Sequence, residues 1–312
     1  MLLHFIGFAS VAYAYSCTDI QTPITVTAPS YTPAFPEFSN HFDSVQLLVE
    51  ISRRSTNNTV SPFSGSENVT VTFTIDASFC TEHTTSIASQ DVQILTHGVG
   101  TDKSYWDFGG YDSKYNYIRA ATKAGYATLH WSRPGTGLSS SGDPYRSLQT
   151  DIQAAVLIEI TRLLRSGQLH TRLPKPSGRV LHVGYSFGSI LTNVLISKRP
   201  ELSDGVVLTG LSHNLSFSGG YAIATNLHLT RENRPRLWAN HSAGILTWAD
   251  ELTLQYHCFK HPYFEPEVLA KGEESKAPFA VGELLTLGVP SLVAPEFKGP
   301  VLVSKEDCGT RH

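Results

Sequence analysis

The sequence predicts an α/β protein with a mostly parallel, doubly wound sheet, an N-terminal antiparallel hairpin and a helical cap insertion. From Asp91 onward, short apolar runs alternate with helical patterns, which is typical of a parallel sheet covered on both faces. Before that point, two strand-like runs are separated by a polar turn segment. Between Leu211 and Val293 the alternation gives way to a stretch dense in aromatic residues and histidine, which indicates an insertion.

The composition is that of an ordinary globular protein. Lys and Arg number 24 against 27 Asp and Glu, and 41% of the residues are hydrophobic. This balance disfavours disorder, and no basic run provides a footprint for nucleic acid or an anionic membrane. We therefore expect a small-molecule partner, no nucleic-acid partner and no stable membrane span. Nothing in the composition indicates an oligomeric state.

The N-terminus predicts export. Residues 1–14 (MLLHFIGFASVAYA) are apolar, too short to span a bilayer and end in small residues, as in a signal peptide cleaved before Tyr15. A basic leading region is missing, so a buried N-terminal segment is the alternative. Four Asn-x-Ser/Thr triplets favour a secreted glycoprotein. They lie at Asn57, Asn68, Asn214 and Asn240.

The four cysteines have no CxxC or metal-ligand spacing. Cys17, Cys80, Cys258 and Cys308 allow three pairings in an oxidising compartment. We favour a Cys17–Cys80 bridge, because it would tie down the N-terminal arm; free buried thiols are the alternative.

The first third of the chain is expected to form an arm and a hairpin. Residues 16–40, rich in Pro, Thr and Ser, predict an extended arm without apolar periodicity. Strands are predicted at 44–52 and 68–79, joined by the turn segment 53–67.

Five short apolar runs predict the parallel strands, and helices are expected between them. The predicted strands are 92–96, 127–131, 179–183, 205–209 and 300–304. Apolar residues at three- and four-residue spacing predict a helix from Ser147 to Gly167.

The strongest chemical signal is Gly184-Tyr185-Ser186-Phe187-Gly188, between the strand at 179–183 and a helical run at 189–198. A sharp strand-to-helix turn strains its central residue and leaves no room for side chains at its flanks, so both glycines have a steric reason. The turn presents the Ser186 hydroxyl at a helix N-terminus, where developing negative charge is favoured. Ser186 is therefore the candidate nucleophile.

A second Gly-containing loop, 96–100 (THGVG), follows the first parallel strand. Acyl transfer needs two backbone donors for the carbonyl oxygen, one after the nucleophile and one from this loop. We expect the N–H groups of Phe187 and Val99 to form that oxyanion hole.

These motifs resemble the α/β-hydrolase superfamily, from about Ser44 to the C-terminus. Residues 132–139 (SRPGTGLS) are similar to the family's Asp-Arg-x-Gly-x-Gly-x-Ser segment, with Ser132 standing where Asp is usual. The segments 97–108, 138–144, 183–189 and 203–210 are similar to secreted fungal members. The resemblance implies hydrolysis of an ester or amide, or a related attack on carbon, without a cofactor or metal.

The resemblance also implies an acid and a histidine late in the chain. Asp307, after the last predicted strand, is the candidate acid, with Glu306 as a rival. The family's histidine follows a further strand, whereas the sequence ends at His312. We expect a chain shortened relative to its family, and hence weak hydrolysis and poor folding. His182, His257 and His261 are interpreted as packing or cap residues.

Two functions follow from the sequence. The first is a secreted serine hydrolase in which Ser186 attacks an acyl carbon. The second is a non-catalytic member that binds an apolar ligand or partner in the same pocket. A complete histidine site would favour the first.

Overall fold

A computed structural model describes residues 15–52, 61–82, 90–212 and 223–304, and residues 51 and 52 only in their backbone. Its strands are β1 (Tyr15–Pro33), β2 (Phe63–Glu82), β3 (Val92–Thr96), β4 (Ala127–Trp131), β5 (Val180–Tyr185), β6 (Gly205–Thr209), β7 (His228–Leu229), β8 (Ile245–Thr247), β9 (Phe279–Ala280) and β10 (Val301–Ser304). Its α-helices are α1 (His41–Ser52), α2 (Tyr117–Lys123), α3 (Thr150–Ser166), α4 (Phe187–Lys198), α5 (Thr230–Asn233), α6 (Pro235–Trp238), α7 (Glu251–Cys258), α8 (Pro266–Glu274) and α9 (Val281–Thr286). Two 3₁₀ turns cover Lys103–Asp107 and Pro200–Leu202.

Seven strands form the central sheet in the order β1-β2-β4-β3-β5-β6-β10. Five neighbouring strands of this sheet are parallel, namely β4, β3, β5, β6 and β10. In contrast, β1 and β2 are antiparallel to each other, and β2 is antiparallel to β4. The predicted mostly parallel sheet and N-terminal antiparallel pair are therefore confirmed. The outer strand β10 exposes Val301, Leu302 and Val303 by more than half.

One strand of the antiparallel pair differs from the prediction: the predicted strand at 68–79 lies within β2, but its partner is β1 and not the segment 44–52. The arm at 16–40 is not an unpaired segment, because Tyr15–Pro33 pairs with β2 along its whole length. Its inward side chains alternate with exposed ones, and Ile20, Ile24 and Val26 are buried. This period-2 pattern was missed, and it places the strand on the sheet.

The predicted strand at 44–52 is wrong, since the chain there forms helix α1. Local capping explains the helix. The Asp43 carboxylate accepts hydrogen bonds from the backbone N–H groups of Ser39 and Asn40, and the Asn40 amide oxygen accepts from Phe42 N. These bonds satisfy donors at the start of α1.

Helices cover both faces of the sheet. On one face α3 packs against β1 and α4, with Ile152, Val156 and Leu191 fully buried. On the other face Trp106 and Ile118 pack with Leu95 and Val183. The predicted helix at 147–167 agrees with α3 within three residues at its start, and Gly167 ends it in the left-handed conformation at φ 76°.

The segment predicted as a helical cap contains helices α5 to α9 and, in addition, a three-stranded sheet ordered β7-β8-β9. These strands have only two or three residues each, too few to produce a sequence signal. Within the described ranges, no helix is long and apolar enough to cross a bilayer.

Candidate active site

Ser186 occupies the sharp turn between β5 and α4. Its backbone has φ 52° and ψ −115°, outside the regions that L-residues normally adopt. Hydrogen bonds hold this conformation, because Ser186 N donates to Thr209 O at 2.8 Å and Ser186 O accepts from Ser189 N at 2.9 Å. Such strain costs about 1–3 kcal/mol and persists where the surroundings enforce it. The predicted turn geometry is therefore present.

The two glycines of the turn allow the backbones to pass. A Cβ on Gly184 would lie 2.5 Å from Ser189 Cα, and a Cβ on Gly188 would lie 2.0 Å from the carbonyl oxygen of Thr96. Both distances are shorter than any real contact between such atoms. The glycines thus bring the start of α4 directly against the end of β3.

The loop that follows β3 lies beside Ser186. A Cβ on Gly98 would lie 3.1 Å from Ser186 Cβ, and one on Gly100 would lie 1.9 Å from the Trp248 ring. Val99 and Ser186 line the same cavity, while Phe187 is buried at the first position of α4. Val99 therefore lies in the loop beside the candidate nucleophile, and Phe187 follows that nucleophile directly in the chain.

A cavity of about 410 Å³ opens at Ser186. Eight of its lining residues are Phe, Tyr or Trp, including Tyr185 and Tyr105, whose rings stack at 4.4 Å. Among the described residues of the wall, Asp102 is the single carboxylate and there is no Lys or Arg; the Asp102 carboxylate accepts a hydrogen bond from Ser104 N. Burial raises the pKa of Tyr117 in the wall to about 12, so this phenol is neutral at physiological pH. The cavity suits a neutral, largely apolar ligand.

His257 is the histidine of the cavity wall among the described residues. It lies near the end of α7, is buried, and has its Nε2 atom 3.4 Å from Thr225 Oγ1. His257 was interpreted from the sequence as a packing or cap residue, and no local sequence pattern indicates its place in the cavity wall. His261 is exposed, and His182 lies buried in β5 between Thr161 and Ser203.

The remaining predicted residues are distributed over the molecule. Asp307, with its rival Glu306, and the triplets at Asn57 and Asn214 lie outside the described residues, as do residues 1–14 and His312. Asn68 and Asn240 are exposed. Cys17 and Cys80 are joined by a disulfide across β1 and β2, so the alternative of two free thiols is wrong.

Two buried polar contacts near the site were missed by the sequence analysis. Ser132, which stands where the resemblance expects Asp, lies with its Oγ 3.3 Å from an Asp76 carboxylate oxygen, so β2 supplies a carboxylate beside this position. Arg133 forms a fully buried ion pair with Glu283 at 2.9 Å. These partners come from other parts of the chain, so no local pattern could reveal them.

The mostly parallel sheet, the strained serine turn and the adjoining Gly98 loop together indicate the family to which the chain belongs. The model of the alpha/beta hydrolase family matches residues 93–307, and the chain belongs to this family. A search of curated protein sequences finds no match.

Several solved structures are similar to the chain. The enol-lactonase of Burkholderia xenovorans has 15% identity and a TM-score of 0.45, over 74% of this chain and 77% of that one. A Pyrococcus furiosus esterase has 14% identity and a TM-score of 0.43, over 74% of this chain and 65% of that one. An epoxide hydrolase of Vigna radiata has 15% identity and a TM-score of 0.35, over 46% of this chain and 36% of that one. The match thus spans little more than a third of the epoxide hydrolase.

Proposed function

We propose that this protein is a secreted serine hydrolase that cleaves an ester, amide or related acyl substrate without a cofactor. The observation that carries the proposal is the strained Ser186, which lines a cavity beside the Gly98 loop. Enforced strain of this kind is typical of functional sites. Ser186 directly precedes α4, so its hydroxyl lies at a helix N-terminus, where negative charge is favoured.

The chemistry follows from these positions. Ser186 Oγ forms a bond to the acyl carbon and transfers its proton to a base, while the carbonyl oxygen becomes an oxyanion held by the N–H groups of Val99 and Phe187. Collapse of this intermediate breaks the bond to the alcohol or amine, which leaves with the proton. Water then attacks the acyl-enzyme by the same route and releases the acid.

The base in this proposal is a histidine, because a serine hydroxyl is a weak nucleophile without one. His257 is the candidate among the described residues, since it lines the cavity that contains Ser186. Asp307 remains the candidate for the acid that orients the histidine.

The substrate class in this proposal is a neutral ester with an apolar or aromatic acyl group. The wall offers stacked rings close to Ser186, and its described residues include no Lys or Arg that could neutralise a substrate carboxylate. Burying an unpaired charge in such surroundings is unfavourable. The Asp102 carboxylate would add repulsion against an anionic group.

The Ser186→Ala variant is expected to reduce turnover of neutral aryl esters to background, because no other group replaces the attacking oxygen. The measurement is steady-state hydrolysis of phenylacetate and benzoate esters, together with stoichiometric labelling by a fluorophosphonate.

The charge of the substrate is a second test. An ester that carries a carboxylate on its acyl group should be hydrolysed with a kcat/KM at least about tenfold lower than that of its neutral analogue.

Ser197→Ala is the matched control, since Ser197 lies on the same helix and its hydroxyl donates to Val293 O, away from the cavity. This variant should keep wild-type turnover. Retained turnover in Ser186→Ala would refute the nucleophile assignment. Binding of neutral aryl esters by the wild-type protein without any turnover would favour the non-catalytic ligand-binding function.

Export is a separate part of the proposal. A disulfide between Cys17 and Cys80 and the exposed triplets at Asn68 and Asn240 support it, since disulfides persist in oxidising compartments. In a eukaryotic secretory host, the protein is expected to begin at Tyr15 and to carry glycan on Asn57 or Asn68. Intact mass before and after N-glycosidase treatment measures both. A product that retains Met1 and shows no mass change would contradict export.

A further inference from the structure

The peptide bond between Gly98 and Val99 is held by its carbonyl oxygen. Three donors converge on Gly98 O: Arg133 Nη2 at 2.9 Å, His97 Nδ1 at 2.9 Å and Thr101 Oγ1 at 3.1 Å. Because this peptide is trans, its N–H points away from its C=O. The donors on Gly98 O therefore fix the direction of the Val99 N–H.

The His97 ring is locked in one tautomer. The backbone N–H of Arg133 can only donate, and it lies 3.0 Å from His97 Nε2, so Nε2 accepts. The proton is then on Nδ1, which donates to Gly98 O. Burial, and next the nearby Arg133 charge, hold the pKa of His97 well below its usual range, which keeps the ring neutral.

Arg133 connects both halves of the predicted oxyanion site. Its guanidinium is fully buried, donates to the Gly98 carbonyl and lies 4.7 Å from the centre of the Phe187 ring. The Glu283 carboxylate at 2.9 Å and the Gln153 amide oxygen at 2.6 Å hold the same guanidinium. A single side chain thus contacts the peptide group that contains the Val99 N–H and the ring of Phe187, which carries the other proposed donor.

We propose that Arg133 is a positioning residue that sets the orientation of the Val99 N–H through the Gly98 carbonyl. Its charge also polarises the peptide, and hydrogen bonding at the C=O strengthens donation by the N–H of the same peptide. This inference rests on the proposed function, in which that N–H holds the oxyanion. Arg133 itself lies behind the peptide and does not line the cavity.

The test is Arg133→Lys, which keeps a positive charge near Glu283 but replaces the planar fork with a single ammonium. The contact with Gly98 O is then lost. We expect kcat for a neutral aryl ester to fall by about 10²-fold, as for loss of an oxyanion donor, with KM changed less than about threefold. A purely structural role would instead lower the amount of folded enzyme and leave kcat per active site unchanged.

Arg165→Lys is the matched control. Arg165 also donates to a backbone carbonyl, Leu202 O at 2.8 Å, and pairs with a carboxylate, Asp204, but it lies outside the cavity. This control should keep wild-type kcat. A second variant, Thr101→Val, removes one of the three hydrogen bonds to Gly98 O and should lower kcat by roughly fivefold.

A readout independent of turnover separates this inference from the proposed function. In protein labelled with ¹⁵N-valine, the Val99 amide nitrogen reports hydrogen bonding at Gly98 O, because both belong to one peptide. Its resonance should move in Arg133→Lys and in Thr101→Val while that of Val206 stays in place. An unmoved Val99 resonance in the folded variants overturns the inference, even if the wild-type protein hydrolyses esters. Turnover that survives in Ser186→Ala refutes the proposed function alone.

Discussion

Gly188→Ala is expected to yield little or no folded protein, with a loss of about 4 kcal/mol or more in the free energy of unfolding. The added Cβ would lie 2.0 Å from Thr96 O and 2.8 Å from His97 O. Both are backbone atoms, one at the end of β3 and one in the loop after it, so the clash cannot be relieved by rotation of a side chain. Relief requires α4 to move away from β3, which would open the core and displace the loop beside Ser186.

Gly65→Ala is the matched control, because Gly65 lies in β2 and nothing lies within 4 Å of its added Cβ. We expect a change within about 0.5 kcal/mol, in the stabilising direction. Soluble yield, circular dichroism and thermal unfolding of both variants provide the measurement. A folded Gly188→Ala protein with a wild-type Tm would show that the turn is looser than described.

The parallel strands β3 to β6 could be predicted because each is short, apolar and mostly buried. Three predicted strands, β3, β4 and β6, have the predicted bounds. The serine turn could be predicted because its glycines, its strand and its helix are adjacent in sequence, so one local pattern contains the whole geometry.

The edge strand β1 could not be predicted in the same way. Pro23 and Pro29 occupy positions that alternate with its buried residues, and proline argues against a strand that pairs on both sides. β1 pairs only with β2, so proline is tolerated there. The long pairing depends on β2 and on α3 packed against it, neither of which is visible in the segment itself.

The residues that hold the candidate site in place also come from distant parts of the chain. Arg133 and Glu283 are 150 positions apart, and the Asp76 carboxylate reaches Ser132 from the neighbouring strand. Sequence patterns identify a turn or a helix face, but they do not identify which distant carboxylate accompanies a buried arginine. The serine turn was therefore predictable from local sequence, whereas the distant residues that hold the neighbouring segments in place were not.

The free energy of unfolding is expected to fall steeply as the pH decreases below about 6.5. Burial lowers the pKa of His130 and of His182 to about 3, and holds that of His97 well below its usual range. In the unfolded chain a histidine binds its proton near pH 6.5, so between pH 6.5 and 3 the unfolded state binds more protons than the folded state. The contribution of these histidines to the free energy of unfolding is therefore fully present above pH 6.5 and is lost on acidification.

The effect is large because three buried histidines act together. His130 and His182 are each expected to cost about 2 kcal/mol by pH 5, and His97 adds to the loss in the same direction, so that the sum is comparable with the whole stability of many proteins. Urea unfolding at pH 7, 6 and 5 measures this change in the free energy of unfolding. These pH values lie above the range where carboxylates dominate the titration.

His182→Gln tests the origin of the pH dependence. His182 Nε2 lies 2.9 Å from Thr161 Oγ1 and Nδ1 lies 2.8 Å from Ser203 Oγ, contacts that an amide can partly replace without titrating. The variant should lose about one third of the change in unfolding free energy between pH 7 and 5. His261→Gln, at an exposed histidine, should leave that change intact. Equal pH dependence in His182→Gln and the wild-type protein would mean that burial of His182 does not contribute to acid unfolding.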